Sequence, residues 1–370
     1  MNTICELLSL RELSRRSLLG VAGAGLLAAQ TPADSIRLPR PVRLGLIGFD
    51  GHVGEVLGQL PRLPDVELVA CAIDGSDPQP VATYRKNAAV QKAASYESYE
   101  EMLKRAKLDI VAICNNDGRR FQSILACAEL GLHVIAEKPF ALTRPDLVAV
   151  KKAFARPELR LSTLLPMRFE PPYLALKAIV ESGEIGEVAQ ITGQKSYKLG
   201  RRPAWQKKRE TYGSSVLWIG IHMIDLMRHC SGREFIEVAS YQSHVAFPEI
   251  GDMENVTAAA YKLDNGGVAN LHMDYLRPET ASAHGDDRLR LAGTKGVAEY
   301  LADLGVVVVS DKSKPHTISP LPAQQSVFLD FIESVYLGKL QSLSLADIYR
   351  VNEITLATHE ASVAHRILAI

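Results

Sequence analysis

The chain has 370 residues, which at about 150 residues per domain suggests two domains. Its 42 basic and 42 acidic side chains cancel, and proteins that bind nucleic acid or anionic lipid normally carry a basic excess, so both classes are disfavoured. With 47% hydrophobic and 23% charged residues, disorder, collagen and coiled coil are excluded as the main architecture, which leaves a well-cored protein that acts on small molecules.

Residues 1–35 are predicted to be an export signal. Arg15 and Arg16 directly precede the apolar stretch Leu18–Ala29, which is too short for a stable membrane span but suits a signal peptide. The arginine pair, followed by a serine and two leucines, resembles the twin-arginine signal. That resemblance implies the twin-arginine export machinery as a partner and a periplasmic or cell-envelope location. The alternative is an amphipathic helix on a protein that stays in the cytoplasm.

The cysteines of the remaining chain lack the spacing of a metal site or a disulfide framework. Cys71, Cys114, Cys127 and Cys230 fall in apolar runs, and no C-x-x-C pair occurs. We therefore expect buried thiols and no bound metal.

The next segment has the order of a dinucleotide-binding unit. A strand over 43–47 leads into a glycine-rich loop and a helical pattern that ends at Pro61, and a second apolar strand over 66–73 ends in Asp74. Glycines allow close approach of a pyrophosphate, the helix N-terminus donates N–H groups to it, and the acid accepts hydrogen bonds from the ribose. The charge of Asp74 favours NAD over NADP. The candidate cofactor-binding residues here are Gly48, Phe49, Asp50, Gly51, His52, Val53, Gly54 and Asp74.

The glycine spacing is G-x-x-G-x-x-G, one residue longer than the standard motif. The alternative is therefore a plain tight turn followed by a solvent-exposed acid. Further alternation favours the first interpretation, with helices at 98–106 and 121–130 and strands at 108–114 and 133–136. This pattern predicts a parallel, doubly wound α/β Rossmann domain over 41–165, with Asn115, Asn116, Glu137 and Lys138 at its ligand-binding carboxyl edge.

The segment around Glu137-Lys138-Pro139 resembles the glucose–fructose oxidoreductase/inositol dehydrogenase (Gfo/Idh/MocA) family. The resemblance covers nearly all of residues 41–370 and is carried by His133–Phe140, Met167–Tyr173, Ser182–Val188, His284–Asp287 and Ala292–Gly296. It implies that Lys138 reaches both the nicotinamide of NAD and the substrate hydroxyl, where an ammonium can polarise a carbonyl or assist loss of a proton.

Residues 166–370 are predicted to form an α+β domain for substrate binding and oligomerisation. A helix at 173–181 precedes strands at 188–197, 236–245, 256–263 and 268–275, and Asp264–Gly267 is a hairpin turn. We expect a large, mainly antiparallel, open sheet, with a helix over 345–365 as a candidate for packing back on the first domain. The family resemblance implies a homo-oligomer, a dimer or tetramer.

A helix over 214–230 carries Trp218, His222, Asp225 and His229 at spacings of four, three and four, which predicts one shared face. The resemblance makes His222 the acceptor of the substrate proton, with Asp225 orienting its ring or fixing the helix. The alternative is a half-buried structural histidine. Trp218 replaces an acid of the family motif and is a candidate for stacking on a sugar ring. Residues 115–120 also depart from the family pattern.

A basic run lies on both sides of Trp205 and comprises Lys198, Arg201, Arg202, Lys207, Lys208 and Arg209. A solvated loop, a nucleic-acid patch and a lid over the substrate are the three interpretations, and the neutral total charge disfavours the second. A basic lid favours a carboxylated or phosphorylated sugar. Candidate substrate-binding residues are Arg168, Lys195, Trp205, Trp218 and Asp225.

Three functions follow from these residues. The leading one is an NAD(P)-dependent oxidoreductase that acts on a sugar, polyol or sugar derivative, with Lys138 and His222 as catalytic residues. The second is an enzyme that recycles its cofactor with no net redox change, by sugar elimination, hydrolysis or epimerisation. The third is a non-catalytic sugar-binding protein.

Overall fold

The computed structural model describes residues 35–370. The predicted export signal thus lies, apart from Ser35, outside the described residues. None of the helices among the described residues is both long and apolar enough to cross a membrane. Cys71, Cys114, Cys127 and Cys230 are buried free thiols, as expected.

The first half folds around a six-stranded parallel sheet, which confirms the predicted Rossmann fold. Its strands read as nearly continuous apolar runs because helices cover a parallel sheet of this kind. The strand order is β3-β2-β1-β4-β5-β6, so the order reverses between β1 and β4, where such folds bind ligands. The strands are β1 Val42–Ile47, β2 Val66–Ala72, β3 Ala94–Tyr96, β4 Ile110–Ile113, β5 His133–Ala136 and β6 Leu161–Thr163. The helices are α1 Val53–Leu57, α2 Pro78–Tyr84, α3 Ala88–Lys92, α4 Tyr99–Arg105, α5 Asp117–Glu129 and α6 Arg144–Ala153.

The second half is built on a nine-stranded sheet in which β7 and β10 form the one parallel pair among the described residues. This confirms the mainly antiparallel open sheet. Its strands are β7 Val188–Tyr197, β8 Phe235–Ser243, β9 Val256–Leu263, β10 Val268–Asp274, β11 Gly285–Gly293, β12 Gly296–Leu301, β13 Gly305–Ser310, β14 Ser313–Thr317 and β15 Leu368–Ala369. The helices are α7 Pro171–Glu181, α8 Arg209–Tyr212, α9 Ile221–Ser231, α10 Val327–Tyr336 and α11 Leu345–Ala364.

Two helices differ from the sequence prediction for identifiable reasons. Helix α5 begins at Asp117 rather than at 121, because the Asn116 side chain accepts the N–H of Arg119 and caps the helix there. The predicted helix over 214–230 is divided into a π-helical turn, Val216–Gly220, and α9. A π-turn holds more residues than an α-turn, so the spacing from Trp218 to His222 is not that of a straight α-helix.

The C-terminal helix α11 packs on β8 and also contacts the first half. Its Glu353 and Glu360 pair with Lys151 and Arg144 of α6. One hydrophobic cluster contains buried side chains from both sheets, so the two halves share a core.

A buried ion pair fixes the passage between the two sheets. Arg168 lies in the 3₁₀ turn Pro166–Phe169, and its Nε donates to Asp225 Oδ2 of α9 at 3.0 Å, while Nη2 donates to the other carboxylate oxygen. Both side chains are 2% exposed. A bidentate pair of this kind is specific in geometry, and removal of one partner leaves the other charged and buried.

We predict that Arg168→Met lowers the free energy of unfolding by about 3 to 5 kcal/mol, because Asp225 loses its counter-charge in the core. Chemical denaturation measures this change. Arg288→Met is the matched control, since the Arg288 side chain is 51% exposed where it pairs with Asp286, and we expect a loss of about 1 kcal/mol or less there. Equal losses in both variants would contradict the assignment.

Candidate functional site

Two adjoining clefts lie where the carboxyl edge of the parallel sheet meets the π-turn and the basic run of the second half. The inner cleft has a volume of about 220 Å³ and the outer cleft one of about 550 Å³. Gly51, Arg202 and Trp218 line both clefts, so the two lie side by side. The inner cleft is also lined by His52, Lys138, Lys195, Tyr197, Ile219, His222, Tyr275 and His284. The outer cleft is lined mainly by residues 49–51, 77–84 and 201–206.

Lys138 is the second residue after β5 and reaches the inner cleft while its side chain is only 2% exposed. Its Nζ donates to the carbonyl oxygen of Trp218 at 2.5 Å and lies 3.6 Å from the centroid of a Trp218 ring. Burial lowers the pKa of Lys138 to about 8, although the carboxylates of Glu137 and Asp117 favour the charged form. The ammonium is thus poised to exchange a proton near neutral pH.

Glu137 connects the end of β5 to the glycine-rich loop. Its Oε1 accepts the backbone N–H of His52 at 2.5 Å and also contacts His52 Nδ1, and its Oε2 accepts the backbone N–H of Lys138 at 2.9 Å. Burial opposes ionisation of this carboxyl, but its interactions with the His52 ring and with the Lys138 ammonium lower its pKa to about 2. A buried anion therefore stands between a histidine and a lysine.

His222 begins the first turn of α9 and faces the inner cleft. Its ring centroid lies 5.2 Å from that of His52, in an edge-on arrangement. Burial, and then the charge of Lys138, hold the pKa of His222 well below its usual range, so the ring is neutral at neutral pH. Its buried Nδ1 has no hydrogen-bond partner among residues 35–370. Asp225 does not orient this ring, because its carboxylate is bound to Arg168.

Only part of the basic run lines the clefts. Arg201 donates to Gln79 Oε1 at 2.6 Å and to Asp77 Oδ1 at 2.5 Å, which joins it to the start of α2. The guanidinium of Arg202 lies 4.1 Å from the Tyr275 ring centroid. The Trp205 ring meets Trp218 edge-on, with centroids 5.3 Å apart. These residues line the clefts, whereas Lys208 is exposed, as the solvated-loop interpretation expects.

The glycine-rich loop fits a dinucleotide phosphate at its second half. Gly48 and Gly51 have φ values of 77° and 70°, and a Cβ atom there would lie against the Asn115 backbone and the Glu137 carboxylate respectively. The N–H groups of Gly51 and Val53 have no partner among the described residues. The N–H groups of Phe49 and Asp50 are bound instead, by Ser76 Oγ and by the carbonyl of Cys114. Two donors at the start of α1 thus suit a phosphate.

The adenosine side of this site is closed by internal hydrogen bonds. Asp74 is 2% exposed, so the alternative of a solvent-exposed acid is wrong. It accepts Asn115 Nδ2 at 2.7 Å, Arg119 Nη2 at 2.9 Å and Arg119 Nε at 3.2 Å. A ribose that bonded to Asp74 would have to share or replace these donors. Because Arg119 balances the charge of Asp74, that charge alone does not distinguish NAD from NADP.

The structure brings together some predicted substrate-binding residues and separates others. Trp205, Trp218 and Lys195 line the clefts, and Lys195 Nζ pairs with Asp287 at 2.8 Å. Arg168 and Asp225 do not line either cleft, which corrects their assignment to the substrate, because their charges neutralise each other in the core. Asn116 caps α5 and lines neither cleft.

Several cleft residues were not predicted from the sequence as parts of a substrate site. Tyr197 and His284 stack with ring centroids 5.2 Å apart, and Tyr275 lies below Arg202. They come from β7, from the end of β10 and from the turn before β11, so only strand pairing brings them together. The one sequence signal for this cluster is that Tyr197 ends β7 and Tyr275 directly follows β10, and these two strands pair with each other.

We predict that the intrinsic fluorescence of the protein titrates with a midpoint near pH 8. Trp218 is one of two tryptophans, and the charged Lys138 Nζ lies against its ring until it loses its proton. Fluorescence measured from pH 6 to 10 tests this. The transition should vanish in Lys138→Met and persist in Lys208→Met, and a titration that persists in Lys138→Met would contradict it.

Comparison with known proteins agrees with this fold and loop. The family model described as an oxidoreductase family with an NAD-binding Rossmann fold matches residues 42–164, and that of the GFO/IDH/MocA C-terminal domain matches 173–299. Myo-inositol 2-dehydrogenase of Thermotoga maritima is 26% identical over 73% of this chain and 79% of its own. Inositol 2-dehydrogenase of Rhizobium meliloti is 25% identical over 82% of this chain and 88% of its own.

Solved structures share the fold. A Thermotoga maritima protein assigned to the oxidoreductases has a TM-score of 0.84 and 29% identity, with 89% of this chain and 100% of that one covered. Levoglucosan dehydrogenase in complex with NADH has a TM-score of 0.75 at 20% identity, with 90% of this chain and 99% of that one covered, which is a likeness of fold. Together the two family models span about two thirds of the sequence and both sheets. The chain belongs to the GFO/IDH/MocA family of oxidoreductases, with an NAD-binding Rossmann fold.

Proposed function

We propose that the protein is an NAD-dependent oxidoreductase that acts on a sugar, a polyol or a sugar derivative at a carbinol carbon. The observation that carries this proposal is the meeting of the Lys138 ammonium and the His222 imidazole in one small cleft beside the glycine-rich loop. Relatives named as dehydrogenases of inositol and of D-glucosides support the substrate class.

The cleft residues divide the proton chemistry between them. Lys138 donates hydrogen bonds and, with a pKa of about 8, stabilises negative charge that develops on a substrate oxygen. His222 is neutral and can accept a proton. A bound nicotinamide would accept or return the hydride, and the free N–H groups of Gly51 and Val53 together with Lys138 are the groups that would hold the cofactor.

The charge of the inner cleft supports an anionic substrate. Lys138, Lys195 and Arg202 line it; Lys195 pairs with Asp287, and the Lys138 Nζ lies 3.9 Å from Glu137 Oε2. Arg202 has no carboxylate partner among the described residues, so its charge faces the cavity of about 220 Å³ unpaired. A carboxylated or phosphorylated sugar would bring the opposite charge.

A second candidate is an enzyme that keeps its cofactor and makes no net redox change. Arg201, Asp77 and Gln79 line the outer cleft and bond to one another, which favours slow release of a nucleotide bound there. The catalytically inert sugar-binding alternative is disfavoured, because Lys138 and His222 meet in the cleft.

We predict that purified protein, given NAD and a panel of sugars, polyols and sugar acids, produces absorbance at the reduced-nicotinamide band. Lys138→Ala should lower this rate by about 100-fold or more, since it removes the positioned cation. Lys208→Ala, in the exposed part of the basic run, should leave it unchanged. Circular dichroism of both variants checks the fold.

The outcomes separate the candidates. Steady formation of NADH supports the first, whereas product formed with no change in the nicotinamide band supports cofactor recycling. Protein that neither contains nor binds the nucleotide would contradict both.

We also propose that the protein leaves the cytoplasm by the twin-arginine route. Arg15 and Arg16 before the apolar stretch Leu18–Ala29 support this.

We predict that Arg15→Lys with Arg16→Lys keeps the protein in the cytoplasmic fraction at its full length, because the paired guanidinium groups are lost. Arg11→Lys is the control and should export normally. Immunoblotting of cell fractions measures export. Equal export of both variants would contradict the proposal.

A homo-oligomer joined through the nine-stranded sheet is a further proposal. Tyr241, Val268 and Val309 lie on its strands with 71%, 53% and 37% exposure, which leaves apolar surface for a partner copy. Light scattering of the purified protein measures its mass.

A further inference from the structure

We infer that His52 is a further catalytic residue, which takes the proton of the substrate hydroxyl while the Glu137 carboxylate holds its ring. This inference rests on the proposed function, since it assigns a role within the same site. His52 belongs to the glycine-rich loop, where the sequence predicted only contact with the cofactor. In the structure its ring lines the inner cleft together with Lys138 and His222.

The contact between His52 and Glu137 fixes the protonation of the imidazole. Glu137 is fully buried and ionised, so its Oε1 can only accept, and Nδ1 of His52 must carry the proton that it shares. The other nitrogen, Nε2, is then free to accept a proton. A carboxylate on Nδ1 both holds the ring and stabilises the imidazolium that forms, as in the carboxylate–histidine pairs of hydrolases.

His222 lacks this support. Its Nδ1 has no partner among the described residues, and Asp225 is bound to Arg168. The acid of the family motif is replaced by Trp218, which carries no charge. The His222 imidazole is therefore suited to a hydrogen bond with the substrate or to transient acceptance of its proton. Among the described residues that line the inner cleft, only His52 has an imidazole in contact with a carboxylate.

Charged and titratable groups from several elements surround His52. The two ring centroids of His52 and His222 are 5.2 Å apart, so one substrate oxygen can approach both. The charged and titratable groups that face His52 are Glu137 and Lys138 after β5, His222 on α9, Glu170 before α7, Lys195 on β7, Arg202 in the basic run and Glu55 on its own helix. Glu137 is the one in direct contact among the described residues.

The step balances with one oxidant. With oxidised nicotinamide bound as the hydride acceptor, the carbinol C–H bond would break with its electron pair leaving as hydride, and the O–H bond would break with its proton passing to Nε2 of His52. The electron pair left on oxygen forms the second bond of the carbonyl. The substrate is thereby oxidised by two electrons and His52 becomes an imidazolium paired with Glu137.

His52→Asn and Glu137→Gln test this role. Asparagine keeps a donor toward Glu137 but cannot take a proton, so we expect a fall in kcat of about 100-fold or more with unchanged thermal midpoint and NAD affinity. The pH profile of kcat/KM should lose its acidic limb. Glu137→Gln removes the charge that stabilises the imidazolium, so its acidic limb should move to lower pH. Imidazole added to His52→Ala should restore part of the rate.

A role in folding alone gives other results. Wild-type kcat and an unmoved acidic limb in His52→Asn would overturn the inference, as would a loss of NAD binding equal to the loss of rate. Wild-type protein that binds NAD and turns over, with His52→Asn impaired only in kcat, supports it. NAD binding to the wild-type protein is measured by the change in tryptophan fluorescence on addition of NAD. If the wild-type protein fails to bind NAD, the proposed function is overturned first and this inference with it.

Discussion

The buried carboxylate of Glu137 is the interaction on which the site depends. It accepts from the backbone of His52 and from the backbone of Lys138, so it ties the turn after β1 to the turn after β5. Such an anion is costly to bury unless cations and donors surround it. Its partners are an imidazole N–H and an ammonium, which belong to the two side chains that the chemistry uses, so the same contacts stabilise the buried carboxylate and hold the reacting groups in place.

The second half of the protein brings the opposite wall of the site. Trp218 offers a carbonyl oxygen and a ring face to Lys138, and the π-turn that contains it is an irregular helix of the kind found at functional sites. An acid at this position would compete with Glu137 for the lysine. An indole leaves Lys138 less neutralised, which helps burial to bring its pKa close to neutral.

The fold was predictable from the sequence, and the site only in part. Strand and helix patterns, the glycine-rich loop and Glu137-Lys138-Pro139 are local signals, and they predict the parallel sheet and the position of Lys138. The pairing of Arg168 with Asp225 and that of Asp74 with Arg119 join residues 57 and 45 positions apart. The neighbouring sequence does not distinguish a charged residue that pairs in the core from one that contacts a ligand. Helical spacing also placed Asp225 wrongly at the substrate site, because Asp225 lies about one turn beyond His222 and is buried in the core.

The hydrogen bonds among Asp74, Asn115 and Arg119 affect how a ribose could bind at this carboxylate. The buried carboxylate that follows β2 is satisfied by its own neighbours. A ribose that bonded to Asp74 would therefore have to share or replace these donors. Its net gain would be the difference between two sets of contacts, so the strength of the pair between Asp74 and Arg119 would affect how tightly a nucleotide is held.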